Sequence, residues 1–331
     1  MKRRLVGVII GLVISIVFIN TASAATTLKI AFNQDKSHPQ YIAMEQFGKI
    51  LKDKTKGEYE VQIFPNELLG AQKETLEMVQ SGTIAMAIVA NALLENWNSD
   101  FAVFNLPYMF ESVDEQKAIV NNPEIVGDLY RSLEPHGIKV LAAFHGGVRN
   151  VYCKKPINSP SDLNGLKIRV MQSDTMISMM NMMGGTGISM GQGDVYTAIQ
   201  TGVIDGAENN ELIYNSLLHY EVAPCYSYTK HLMQPDVLTI STEVWNLLPD
   251  NVKAIFEAEI PKAIDLEYSS FDDAVKTALA NVKSKCENLV ITYPDITPFQ
   301  EAVAPLTESK LTTPAAKQIY KQILEYRSSR N

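Results

Sequence analysis

The sequence predicts a two-lobed α/β fold, on three observations. Strand-like and helix-like segments alternate from residue 28 onward, the order that builds sheets with helices packed on them. The segment Val79-Gln80-Ser81-Gly82-Thr83-Ile84-Ala85-Met86-Ala87 is echoed, position for position, by Ile199-Gln200-Thr201-Gly202-Val203-Ile204-Asp205-Gly206-Ala207. About 300 residues remain once an N-terminal targeting segment is set aside, more than one ordinary core accommodates. Each copy of the echo reads as a helix end, a glycine in the C′ position and the start of a strand, so the pair marks two related lobes.

The elements follow in order. Residues 28–32 (LKIAF) form a first strand. Residues 39–54 carry Tyr41, Met44, Phe47, Ile50 and Leu51 at helical spacing, and Gly57 ends the run. Residues 59–64 (YEVQIF) alternate as a strand does. A turn at Pro65-Asn66 leads through Gly70 to a helix over 72–80. Residues 101–110 (FAVFNLPYMF), interrupted by Pro107, read as a core or interlobe segment. Residues 140–144 and 166–170 are further strands, and 174–183 a helix whose methionines, Met176, Met179, Met180, Met182 and Met183, fill core. Helical pattern returns from 250 to 288, with a kink expected at Pro261. Residues 314–328 form a terminal helix, rich in Lys and Arg, that packs one apolar face.

The N-terminus is a targeting segment. Lys2, Arg3 and Arg4 are followed by an apolar run over 5–19 and by Asn20-Thr21-Ala22-Ser23-Ala24, so cleavage is expected after Ala24. The run is short for a membrane span of about 20 residues. No Cys stands at the cleavage site, which disfavours a lipoprotein, and no later segment is long and apolar enough to cross a bilayer. An exported, soluble mature protein is expected. Cleavage removes three positive charges and no negative one, so the formal charge of −8 becomes −11. That field repels nucleic acid and anionic membranes. It also repels an anionic ligand, which local positive charge must then capture. Cys153, Cys225 and Cys286 are too few for a disulfide framework and fit no zinc spacing; buried thiols with at most one bridge are expected.

Two arginines stand out. Arg149 follows His145-Gly146-Gly147-Val148, and Arg169 lies between Ile168 and Val170 in an apolar strand. A buried guanidinium is costly unless paired, and its two parallel donors match a carboxylate. An internal salt bridge to Glu or Asp answers the same need, and the pattern of residues leaves both readings open.

Gly187-Ile188-Ser189-Met190-Gly191 fits G-x-S-x-G, and with His219 or His231 a serine hydrolase is a remote alternative. The elbow needs a strand directly before its serine and a helix directly after, whereas residues 176–183 read as helix followed by Gly184-Gly185. No G-K-[ST] phosphate loop is present, and His38, His136, His145, His219 and His231 show no metal-ligand spacing. No catalytic residue, metal or cofactor is expected.

Longer motifs carry a resemblance. They are Arg149-Asn150; Ile157-Asn158-Ser159-Pro160-Ser161-Asp162-Leu163-Asn164-Gly165-Leu166-Lys167-Ile168-Arg169-Val170; and Asp194-Val195-Tyr196-Thr197-Ala198-Ile199-Gln200-Thr201-Gly202-Val203-Ile204-Asp205-Gly206-Ala207-Glu208-Asn209. With Pro65-Asn66-Glu67-Leu68-Leu69-Gly70 and Phe104-Asn105-Leu106-Pro107-Tyr108, they cover essentially the whole mature chain. The sequence resembles the DctP-type solute receptors of tripartite ATP-independent periplasmic (TRAP) transporters. The resemblance implies a periplasmic-binding-protein-like fold, type II-like, with a mixed sheet in each lobe and a long helix spanning both. The lobes are expected at residues 25–146 with 235–276, and at 147–234 with 277–331.

The resemblance also implies a site. Arg169 makes the main salt bridge to a ligand carboxylate, Arg149 helps, and Asn209, with Glu208 beside it, reaches the same ligand. Met171, just beyond the Arg169 strand, joins them. First-lobe contacts come from near Asn33, Gln34 and His38, from the helix start after Gly70, and from Asn91. Relatives often carry an acid where this chain has Gln72, so Glu74 is preferred and Gln72 left open. Asn33-Gln34, His38-Pro39, Glu208-Asn209-Asn210 and His219-Tyr220-Glu221-Val222 resemble the branch that takes sugar acids. D-Glucuronate or D-galacturonate is expected first, then another aldonate or ketogulonate, then a C4-dicarboxylate. The expected partners are that acid and the transporter's membrane subunits, with no nucleic acid; the receptor itself is expected to be a monomer in the periplasm.

Overall fold

The computed structural model describes residues 25–330; the targeting segment expected over residues 1–24 lies outside them. Among the described residues, eleven strands form two mixed sheets. The first contains β1 (Thr26–Ala31), β2 (Tyr59–Phe64), β3 (Met86–Ala90), β4 (Ile138–His145) and β10 (Pro235–Ser241), in the order β2-β1-β3-β10-β4. The second contains β5 (Arg149–Cys153), β6 (Lys167–Val170), β7 (Thr186–Ser189), β8 (Gly206–Asn209), β9 (Cys225–Leu232) and β11 (Val290–Thr292), in the order β11-β9-β5-β8-β6-β7. The two-lobed α/β expectation holds.

Local chemistry explains the first lobe. The helix Pro39–Lys54 has proline in its first turn, where no amide hydrogen is missed, and the His38 side chain accepts from the Gln40 amide. Its buried stripe, Tyr41, Met44, Phe47 and Leu51, packs with Leu28, Ile30, Phe256 and Ile260 into one core. The echoed segments behave alike. Gly82 and Gly202 take φ of 71° and 77° just after the helices Gln72–Gln80 and Val195–Gln200, and each chain then enters a central strand.

The chain passes between sheets three times, from β4 through Gly146-Gly147-Val148 to β5, from β9 through Met233-Gln234 to β10, and from β10 by way of a long helix to β11. A helix of 36 residues, Asp250–Lys285, lies against the Pro39–Lys54 helix and β4 and also against Glu211–Ser216. Pro261, the position of the expected kink, lies inside it, and the helix continues on both sides. A second core joins Phe101 and Phe104 to Met176, Met179, Met180 and Met183 and to Phe299 and Ile323 of the last two helices. Met182, the last residue of its helix and at the margin of the buried stripe, does not join that core and is exposed. The terminal helix Pro314–Ser328 buries Ala316, Ile319 and Ile323, as expected of one apolar face. All three cysteines are free and buried, although Cys153 and Cys225 sit opposite each other on β5 and β9. None of the helices described is long and apolar enough to cross a membrane.

Candidate functional site

Strand order brings the two arginines to either side of one strand. β8 lies between β5 and β6, Asn150 pairs with Asn209, and Arg169 pairs with Ala207 on the other edge. Arg149 and Arg169 are both buried, with 4% of their surface exposed. Their environments differ. Arg149 Nε donates to Glu208 Oε2 at 2.5 Å and Nη2 to Glu208 Oε1 at 2.8 Å, a two-pronged ion pair. Nη2 also donates to the Glu208 carbonyl at 2.8 Å, and Nη1 to Asn209 Oδ1 at 3.0 Å. Burial alone would raise the Glu208 pKa, but Arg149 and the His231 ring hold it down at about 2. His231 Nε2 lies 3.3 Å from Glu208 Oε2 and its Nδ1 2.8 Å from Thr229 Oγ1. The ionised carboxylate accepts only, so Nε2 carries the proton and Thr229 donates to Nδ1.

Arg169 has no such partner. Its Nε donates to the Met190 carbonyl at 2.9 Å, and neither terminal nitrogen donates to any acceptor among the described residues. Burial lowers its pKa, with Glu208 opposing and Arg149 reinforcing that shift. One buried cation is thus neutralised in place and the other is left with its fork open.

The open fork lines a small cavity, about 20 Å³, between the lobes. First-lobe residues Glu67, Ala71, Gln72 and Leu93 face Arg169, Met171, Gln172, Gly191 and Gln192 of the second lobe. Side chains meet across this gap. Gln192 Nε2 donates to Gln34 Oε1 at 3.1 Å, and the amides of Gln34 and Asn33 both point at Gln192 Oε1 at 3.4 Å. Beside them Glu95, its pKa raised by burial, accepts from Ser173 Oγ at 3.0 Å and Thr175 Oγ1 at 2.9 Å. Pockets for small ligands need roughly 300 Å³ or more, so the cavity as it stands is smaller than a ligand, and the lobes touch beside it through Gln192 and Gln34. A hollow of about 490 Å³ lies elsewhere, lined by Tyr108, Phe110, Val148, Lys230 and Phe271, and contains neither arginine. Size does not pick the site here; the unpaired guanidinium does.

The DctP family model, bacterial extracellular solute-binding protein, family 7, matches residues 30–312. This chain belongs to that family. A TRAP periplasmic solute-binding protein from Anaerococcus prevotii, solved with bound α/β-D-glucuronate, is 35% identical with a TM-score of 0.88, covering 92% of this chain and 99% of its own. One from Xanthobacter autotrophicus, solved with bound β-D-galacturonate, is 31% identical with a TM-score of 0.84, covering 89% and 98%. The protein YiiZ of Salmonella typhimurium, itself uncharacterised, is 36% identical over 300 residues, 90% of this chain and 91% of its own.

Within this family 7 fold, the residues singled out from the sequence separate into groups. Arg169, Met171, Asn33 and Gln34 gather at the cavity or at Gln192. Arg149, Glu208 and Asn209 form the adjoining ion pair, and Asn209 Oδ1 is occupied by Arg149 and by the Asn210 amide. Asn91, just after β3, donates to the Phe101 carbonyl and to Asn105 Oδ1, while its own Oδ1 is buried without a partner among the described residues. His38 is a helix cap packed edge-on against Phe32 and Phe271, and burial lowers its pKa to about 4. Glu74 is exposed in the first turn of its helix; Gln72 is the residue of that turn that lines the cavity, its Oε1 held by the Ala90 amide at 2.7 Å.

Sequence reasoning does not single out Glu67, Gln192 or Glu95. Glu67 stands there only as part of a longer motif, yet a carboxylate directly after a Pro-Asn turn is a readable signal. Nothing marks Gln192, which sits in a glycine-flanked loop.

The helix and the two glycines stand as read, but a strand not expected there, β7, follows them and ends at Ser189. It escapes the sequence pattern because Thr186-Gly187-Ile188-Ser189 is short and lies at a sheet edge. Even so, the next helix begins only at Val195, Ser189 is exposed, and no histidine hydrogen-bonds it among the described residues.

Proposed function

We propose that this chain is the extracytoplasmic receptor of a TRAP transporter, binding D-glucuronate or D-galacturonate through a salt bridge from Arg169 to the ligand carboxylate. The observation that carries this reading is the open Arg169 fork, buried, facing the interlobe cavity and unpaired among the described residues. A carboxylate supplies the two parallel acceptors that such a fork wants. The uronates bound by the Anaerococcus and Xanthobacter proteins are the ligand class that these relatives support. In this reading Arg149 acts through Glu208 and Asn209. It fixes the β8 wall and adds positive field, and contributes at most one free hydrogen to the ligand.

The lobes of the proposal are residues 25–146 with 235–276 and residues 147–234 with 277–331, hinged at the three crossings. Ligand binds the open form, and contacts present only when both lobes touch it draw the population to the closed form. The closed form is then read by the transporter's membrane subunits. The leader over residues 1–24 places the monomeric mature protein in the periplasm, and binding there involves no catalytic step and no cofactor.

A thermal-shift screen of the mature protein against organic acids, followed by calorimetry, tests the reading. A ligand present at about a hundred times its Kd stabilises the fold by about 2.7 kcal/mol. Uronates should shift the melt while succinate and malate do not. A response to dicarboxylates alone would overturn the substrate, and no response to any acid would overturn the receptor.

A further inference from the structure

We infer that Glu67 sets which acids this cleft accepts: its Oε1 takes a hydrogen bond from a hydroxyl at the ligand's non-carboxylate end and repels a second carboxylate. The inference rests on the sugar-acid reading above and adds to it the residue that makes the choice.

Glu67 is held in an unusual way. It and Asn66 take φ of 55° and 56°, the left-handed region that L side chains rarely occupy, in two successive positions. The Asn66 amide donates to the Gln34 carbonyl at 2.9 Å and the Glu67 amide to the Phe32 carbonyl at 3.2 Å, which pins the turn to the end of β1. Backbone kept out of its preferred wells by its surroundings is a mark of functional positions. Here the turn aims the carboxylate across the gap between lobes. Oε2 lies against Gly193 of the second lobe, where a Cβ would come within 2.8 Å of it.

The second oxygen has no partner. Glu67 Oε1 is buried, lies on a residue lining the Arg169 cavity, and makes no hydrogen bond among the described residues. A buried acceptor left unsatisfied is costly, so its presence calls for a donor. Burial raises the Glu67 pKa, with Asp194 and Glu74 adding to it and Arg169 and the Gly193 amide opposing.

The cavity therefore has one wall that donates, at Arg169, and one that accepts, at Glu67. A ligand fits both if one end is a carboxylate and the other carries hydroxyls. A dicarboxylate offers acceptors at both ends and would bring its second charge against Glu67. Selection of this kind works by repelling the wrong ligand as well as by holding the right one. A site built around a substrate hydroxyl also discriminates strongly against analogues that lack it.

The test titrates the mature wild type, Glu67→Gln and Glu67→Asp with D-glucuronate, D-gluconate and L-malate by calorimetry at pH 7. Glutamine keeps the size but loses the charge and can offer an amide donor. It should weaken glucuronate about tenfold and strengthen malate about tenfold, moving their ratio about 100-fold. Aspartate keeps the charge on a shorter stem, so it should weaken glucuronate while still excluding malate. If Glu67→Gln changes both ligands by the same factor, or moves their ratio less than threefold, Glu67 is structural and the inference fails. Wild type that binds malate as tightly as a sugar acid also overturns it. Wild type that ignores glucuronate but binds gluconate overturns the uronate reading alone, and the ratio of gluconate to malate then decides Glu67.

Discussion

Arg149 and Glu208 form a two-pronged buried ion pair, Nε to Oε2 at 2.5 Å and Nη2 to Oε1 at 2.8 Å, while Arg169, across the same strand, keeps its fork open. The pair satisfies one cation and fixes β8, and the neighbouring cation is left for a ligand. Two similar residues in one apolar wall thus have different tasks, and mutation should separate them.

Arg149→Ala should cost the fold about 3 to 5 kcal/mol, because it strands the Glu208 carboxylate in the interior. The double variant Arg149→Met with Glu208→Leu should cost less than Arg149→Ala, since no charge is then stranded. Urea unfolding of the ligand-free proteins measures both. Equal costs for the single and double variants would mean that packing, not the charge pair, sets the loss.

Acid should weaken this pair in a defined window. A glutamate in the unfolded chain titrates at its ordinary value of 4.5, and in the fold Glu208 sits at about 2. A depressed carboxyl contributes stability that is fully present above 4.5 and lost as pH falls through 2. The contribution at neutral pH is on the order of 3 kcal/mol. The stability gap between wild type and Glu208→Gln should therefore be the same at pH 7 and pH 5.5 and shrink by roughly 2 kcal/mol at pH 3. Urea melts at the three values provide the comparison, and a gap that stays constant down to pH 3 would detach Glu208 from the acid response.

Arg169→Met should behave in the opposite sense from Arg149→Ala. It removes a buried charge that has, among the described residues, only one hydrogen bond, to the Met190 carbonyl, so the ligand-free fold should be as stable as wild type or more so. Uronate binding should weaken by about 2 to 5 kcal/mol, because the bound carboxylate loses its partner. A loss of less than fivefold in titrated affinity, or a ligand-free melt that drops as far as that of Arg149→Ala, would refute the division of labour.

Much of this is readable in the chain, and the failures have physical causes. An arginine between Ile168 and Val170 announces a buried charge. Which arginine is consumed is not readable, because that depends on β8 lying between β5 and β6 and carrying Glu208 to Arg149. The echoed helix ends are legible because a glycine at positive φ leaves a local signature. β7 and β10 are not, since one is a short edge strand with a glycine and the other starts at Pro235. His38 draws attention through the resemblance to the sugar-acid branch, but its His-Pro sequence is also that of a helix start. Glu74 and Gln72 differ by two positions in one helical turn, which is about 200° of rotation. That rotation puts one in solvent and the other on the cavity.

Gln192 should control closure more than capture. It reaches from the second lobe to Gln34 and Asn33 in the first, with distances of 3.1 to 3.4 Å, and it does so beside the Arg169 fork rather than on it. Neutral hydrogen bonds of this kind are worth about 1 kcal/mol each. Gln192→Ala should therefore weaken uronate binding by about tenfold, less than Arg169→Met, and mainly by faster release, since the lost contacts hold the shut state. The ligand-free variant should also be more open than wild type in solution scattering. Slower association with unchanged release would instead make Gln192 a residue of first encounter, and an unchanged scattering profile would leave the Gln34 contact without weight in closure.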